Sequence, residues 1–129
     1  MVHKSLFVIS FIATLISWPS DVKGNIDSCS VAIDSTEFSS FLQTVVAQDF
    51  DAAKITLISN SLKTHCFSCE QVRSLLLLFS FEEDKVLMAK KAYSSVVDPQ
   101  NYDLIYTVFE FESSKTEIKQ HIDGLLKTN

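Results

Sequence analysis

Apolar residues recur along this chain at spacings of three and four, in blocks that themselves repeat. Phe38, Phe41, Leu42, Val45 and Val46 stand at i, i+3, i+4, i+7 and i+8. Val72, Leu75, Leu76 and Phe79 follow the same spacing, and so do Tyr102, Ile105, Tyr106 and Phe109. Residues so placed fall on one face of a 3.6-residue helix, so each block predicts an amphipathic helix with its stripe turned to a core. Narrower stripes follow each block: Ile55, Ile58 and Leu62; Val86, Ala89 and Tyr93; Ile118, Ile122, Leu125 and Leu126. These second helices keep more polar surface, which predicts an outer position.

Start signals agree with that reading. Ser68 precedes Gln71 by three residues, a capping-box arrangement in which hydroxyl and amide each satisfy an orphan backbone N–H. Asp98 sits at an N-cap before Pro99, where proline's missing donor costs nothing. Ser80 precedes Glu83 in the same way, and Gly124 falls near the end of the last helix. The pattern predicts six helices over 36–47, 51–63, 69–79, 82–94, 99–109 and 113–126. Residues 105–111 are strand-prone by composition, but the helical spacing around them decides for helix.

One phrase recurs at each joint between paired helices: Phe50-Asp51 with Lys54, Phe81-Glu82 with Lys85, and Phe111-Glu112 with Lys115. The phenylalanines are 31 and 30 residues apart, a period that usually encodes one supersecondary unit stacked on its copies. The first copy is the most divergent, with Gln48 where the others have Phe79 and Phe109. The expected fold is all-α: six short helices as three αα-hairpin repeats of roughly 30 residues in one compact domain over 36–126. A lead-in segment over 25–35 precedes it and a tail over 127–129 follows. Each joint phenylalanine is expected to be a buried pivot, and each lysine to pair with the acids near it.

Residues 1–24 read as a signal peptide. Lys4 gives the positive start, Leu6 to Ile16 an apolar centre of eleven residues, and Pro19 to Gly24 the polar exit, with cleavage expected before Asn25. Eleven apolar residues fall short of the roughly 20 that span a bilayer, so no stable membrane span is expected. The location implied is secreted and extracellular. The whole chain of 129 residues carries 11 basic and 16 acidic side chains for a net charge of −5. Loss of Lys4, Lys23 and Asp21 with the leader makes it one unit more negative. Such a surface argues against nucleic acid as a partner, because phosphate binding needs clustered basic groups. Only Gly124 and Pro99 remain beyond the leader, too few for the turns of a sheet protein.

The motifs Phe67-Ser68-x-x-Gln71-Val72, Phe79-x-Phe81-Glu82-x-x-Lys85-Val86, Asp98-x-x-Asn101-Tyr102 and Phe109-x-Phe111-x-Ser113-x-Lys115 resemble the domain of unknown function 4476 family. The resemblance covers residues 36–126 and implies a small helical domain, often secreted, with no agreed activity and no catalytic residues to carry over. Two features depart from the family pattern: Cys66 and Cys69 flank variable positions, and the first repeat is degenerate.

Three cysteines lie beyond the leader: Cys29, Cys66 and Cys69. In an oxidising compartment one disulfide and one free thiol are expected, with all three pairings open. A bridge from Cys29 to Cys66 or Cys69 would tether the lead-in segment and stabilise by about 4 kcal/mol on the chain-entropy argument. The CxxC spacing at Cys66 and Cys69 suggests thiol–disulfide chemistry at a helix start, yet no strand precedes it as in redox βαβ units. A zinc site built from His65, Cys66, Cys69 and Cys29 is disfavoured by the single CxxC and the oxidising location. His65 and His121 sit in no nucleophile motif, and no calcium, phosphate or nucleophile-elbow signature occurs. Hence no catalytic, cofactor or metal residues are assigned, and no cofactor is expected. The aromatic set Phe79, Phe81, Tyr102, Tyr106, Phe109 and Phe111 fills a core or lines a cavity. The sequence thus points to a non-enzymatic extracellular module contacting a protein partner, with a carrier of a small apolar ligand bound among helices as the alternative.

Overall fold

The computed structural model describes residues 29–128, so the leader and the first residues of the lead-in segment lie outside the described residues. The described chain is helical throughout: α1 (Ser35–Val46), α2 (Asp51–Leu62), α3 (Cys69–Leu76), α4 (Glu82–Ala92) and α5 (Glu112–Lys127). A short 3-10 turn (Tyr93–Ser95) ends α4, and a ten-residue 3-10 helix (Pro99–Val108) stands between α4 and α5. No strand forms among the described residues, only an isolated parallel bridge between Phe67 and Val96.

Local chemistry sets the helix starts. The Asp34 carboxylate accepts from the amides of Thr36 and Glu37, each at 2.9 Å, and opens α1. At α3 the Ser68 hydroxyl accepts from Gln71 N (3.1 Å), while Gln71 Oε1 accepts from Ser68 N (2.9 Å). Two expectations are corrected here. The start of α4 is Phe81 in extended backbone, not a Ser80–Glu83 capping box, and no side chain caps it from that position. Asp98 occupies the N-cap of the 3-10 helix, but its Oδ1 accepts from Cys69 N at 2.8 Å. The carboxylate therefore closes the start of α3 rather than of its own helix.

The segment 99–108 is helical with a tighter period than the sequence suggests. In a 3-10 helix residues i, i+3 and i+6 eclipse one another, and the buried residues are Tyr102, Ile105 and Val108. Tyr106, which a 3.6-residue period places in the stripe, is only half-buried. This helix packs mainly on α3, while α4 is flanked by α2 and α5 and also touches α3; α1 leans on α2.

Phe67, fully buried in the connection between α2 and α3, organises the first half of the core. Its ring meets Phe38 and Phe41 at centroid distances of 6.3 and 6.2 Å. Its backbone accepts from Val97 N (2.9 Å) and donates to Ser95 O (2.8 Å), tying that connection to the loop before the 3-10 helix. Cys29 is disulfide-bonded to Cys66, and Ile33 is held on both sides: its N–H donates to Cys66 O (2.8 Å) and its carbonyl accepts from Gln71 Nε2 (2.9 Å). The lead-in segment is thereby stitched to the start of α3.

Candidate interaction surface

The three joint phenylalanines are exposed, correcting the expectation of buried pivots. Phe50, Phe81 and Phe111 are 76%, 65% and 57% accessible, whereas Phe79 and Phe109 beside the later two are buried in the core. At the later two joints Phe79 and Phe109 fill the inner places, and at all three joints Phe50, Phe81 and Phe111 stand in extended backbone at the helix N-cap with their rings in water. Val46 and Leu77, each four residues before a joint phenylalanine, are also exposed.

The acids following the first two phenylalanines, Asp51 and Glu82, lock successive joints together, whereas Glu112 pairs within its own helix with Lys115. Asp51 Oδ2 accepts from Ser80 N at 3.0 Å, and Glu82 Oε1 accepts from the amides of Glu110 and Phe111, each at 3.1 Å. The first residue of α2 thus holds the chain entering α4, and the first residue of α4 holds the chain entering α5. These contacts align the N-termini of α2, α4 and α5 side by side, so Phe50, Phe81 and Phe111 form a ladder along one edge. Each acid also sits at the positive end of its own helix dipole.

Electrostatics at the joints follow from these contacts. Partial burial pushes the Asp51 carboxyl up, but hydrogen bonds from Ser80 and Lys54, with the Lys54 charge and the Phe81 amide, outweigh it and hold the carboxyl below its ordinary value. Burial likewise opposes Glu82, and the amides of Phe111 and Glu110, the Ser114 hydroxyl and nearby Lys85 bring it down. Asp84 moves the other way: burial, then Asp51 and Glu83, raise it. Lys54 is almost fully buried, its Nζ bonding Asp51 Oδ1 (3.1 Å) and Leu78 O (3.0 Å). Lys115 reaches Glu112 at 2.7 Å.

The remaining sequence candidates are dispersed. Cys66 is held by Cys29, while Cys69 is free, buried, and donates its Sγ–H to Asp98 O at 3.0 Å. Burial, then the Asp98 contact, push that thiol up to about 12, so it carries no thiolate at neutral pH. His65 contacts Glu37 Oε1 (3.2 Å) and Thr64 Oγ1 (2.8 Å), and His121 is exposed. No cluster of three or more His, Cys, Asp or Glu suited to a metal forms among the described residues, and no described helix is long and apolar enough to cross a membrane. The aromatic set divides: Phe79, Phe109 and Tyr102 lie in the core, Tyr106 at its edge, and Phe81 and Phe111 outside.

Sequence reasoning missed the carboxylates that link one joint to the next. Their signal was present: an acid repeated in register beside each phenylalanine. Comparison with known proteins adds one finding. A family model for a domain of unknown function, DUF4476, matches residues 32–122, whereas no curated protein and no solved structure matches the chain. Because that match runs from the lead-in segment into α5 and covers most of the chain, the protein belongs to the DUF4476 family.

Proposed function

We propose that this protein is a secreted, non-enzymatic scaffold of three αα-hairpin units whose phenylalanine ladder docks a protein partner. The observation that carries the reading is the exposure of Phe50, Phe81 and Phe111 along one hydrogen-bonded edge. Exposed apolar surface gathered along one edge of a folded domain marks interaction sites, and aromatic residues supply much of the energy at interface centres. The rim of the ladder is acidic, with Asp49, Glu83, Glu110 and Glu112 all exposed. The partner that fits presents an apolar surface flanked by basic groups. Secretion is supported by the leader pattern and by the Cys29–Cys66 bridge, which suits an oxidising compartment.

The test has two parts. Expressed in secretory cells, the full chain is expected in the medium without residues 1–24; retention of the whole chain inside the cell refutes the location. Peptides selected from a random displayed library on the purified protein are expected to combine aliphatic with basic residues. The Phe50→Ser, Phe81→Ser, Phe111→Ser triple variant should lose them while keeping its helical circular dichroism. Equal capture by wild type and folded variant refutes the ladder as the docking edge.

A further inference from the structure

Where the 3-10 helix meets α5 and the end of α4, three tyrosines gather around a surface hollow of about 210 Å3. Tyr93 and Tyr102 meet edge to face, with centroids 5.0 Å apart and planes at 85°. The Tyr102 hydroxyl donates to Ala89 O, so its polar end is already satisfied inside the core. Tyr93 and Tyr106 are half-buried and offer ring surface to the hollow, and Pro99 and Ile122 add apolar walls. Asp103 and Asp123 line it as exposed carboxylates, and neither joins any ion pair among the described residues.

The group now lying on this aromatic surface is a cation. Lys119 Nζ stands 4.9 Å from the centroid of the Tyr106 ring, within the range where the ring's negative face attracts an ammonium. Two carboxylates stand beside these rings as well: burial first, and then Asp103, Asp123 and Tyr93, raise the Tyr106 hydroxyl. Rings on the floor and carboxylates at the rim suit a cation that needs few hydrogen bonds. A metal ion would require a convergent ligand set, which the described residues lack.

We propose that this hollow binds an organic trimethylammonium group, choline being its simplest free form. The methyl groups pack on Tyr93 and Tyr106, Asp103 and Asp123 balance the charge, and Lys119 swings out to water. A trimethylammonium group has no N–H bonds to satisfy and keeps a weak hydration shell. The lysine ammonium it displaces is strongly hydrated and returns to solvent readily.

The experiment titrates protein purified from expression of the full-length chain, following tyrosine fluorescence and backbone chemical shifts. Saturable binding of choline is expected, with shifts centred on Tyr93, Tyr106 and Lys119, and none with the uncharged isostere neohexyl alcohol. Tyr106→Phe should bind within about twofold of wild type, because the ring face carries the attraction, whereas Tyr106→Leu should lose about tenfold. Lys119→Gln should bind choline more tightly, since the competing cation is gone. Co-sedimentation with phosphatidylcholine vesicles, beside the free-choline arm, tells a lipid headgroup from a soluble ligand; binding in either arm supports the site. Binding in neither arm, equal binding of neohexyl alcohol, or weaker binding by Lys119→Gln overturns the proposal. Those readouts do not depend on whether Tyr106→Leu folds.

Discussion

Two phenylalanines on either side of Ser80, Phe79 and Phe81, should respond to truncation very differently. Phe79 is 4% accessible and packs in the core, so Phe79→Ala removes a filled volume and should cost about 3–5 kcal/mol. Phe81 keeps 65% of its surface in water. Withdrawing the remaining third or so of a roughly 200 Å2 side chain at about 25 cal/mol per Å2 gives about 1.5–2 kcal/mol. That figure is an upper bound, because the denatured chain also buries part of the ring and alanine retains part of the contact. The expected cost of Phe81→Ala is therefore about 1 kcal/mol. Equilibrium urea unfolding followed by far-UV circular dichroism, with the disulfide intact, measures both. The two variants should differ in stability by at least about 2 kcal/mol at unchanged m-value. Equal losses, or a larger loss for Phe81→Ala, would falsify the placement of the joint rings outside the core.

Further outcomes follow from the same contacts. Asp51 and Glu82 titrate below their ordinary values of 3.8 and 4.5 in the fold, so their stabilisation is complete above those values and is lost as pH falls through the lower folded ones. Glu82→Gln should lower the urea midpoint at pH 7 and matter much less near pH 3; an equal effect at both pH values contradicts this. Asp84 is raised, so its ionisation opposes folding, and Asp84→Asn should stabilise at pH 7 with a gain that shrinks as pH falls; a loss at pH 7 argues against the sign. Cys29→Ser with Cys66→Ser removes a bridge spanning 37 residues and should cost about 4 kcal/mol by the entropy of the closed loop, read in the same unfolding assay. Cys69 should resist iodoacetamide at pH 8 in the native protein and react once urea unfolds it, as mass spectrometry would register; rapid native labelling would contradict its burial.

The helical class and nearly every helix position were legible in the sequence, because spacings of three and four specify a face without reference to anything distant. The repeated phrase also marked three helix starts, and α2, α4 and α5 begin at Asp51, Glu82 and Glu112. The candidate site was legible only in part. Periodicity says that a residue is special without saying which way it faces: Phe81 and Phe111 lie outside where Phe79 and Phe109 occupy the interior, and Phe50 is exposed with no such ring beside it. The 3-10 period over 99–108 escaped for a related reason: Tyr102, Ile105, Tyr106 and Phe109 satisfy a 3.6-residue repeat, while the residues buried within the folded helix, Tyr102, Ile105 and Val108, follow the tighter one.

By itself, then, the sequence determined the local order: which segments are helical, where they start, and that three of them share one opening phrase. Tertiary structure decided the cross-chain partners, since a carboxylate finds the amides nearest in space. It led Asp98 to Cys69, Asp51 to Ser80 and Glu82 to Phe111, each across 28 or more residues. It also chose Cys66 over Cys69 for Cys29, because Cys69 turns into the core at the start of α3 while Cys66 lies beside the lead-in segment. Local sequence encodes backbone preference; only packing fixes which side chains run out of room inside and must face water.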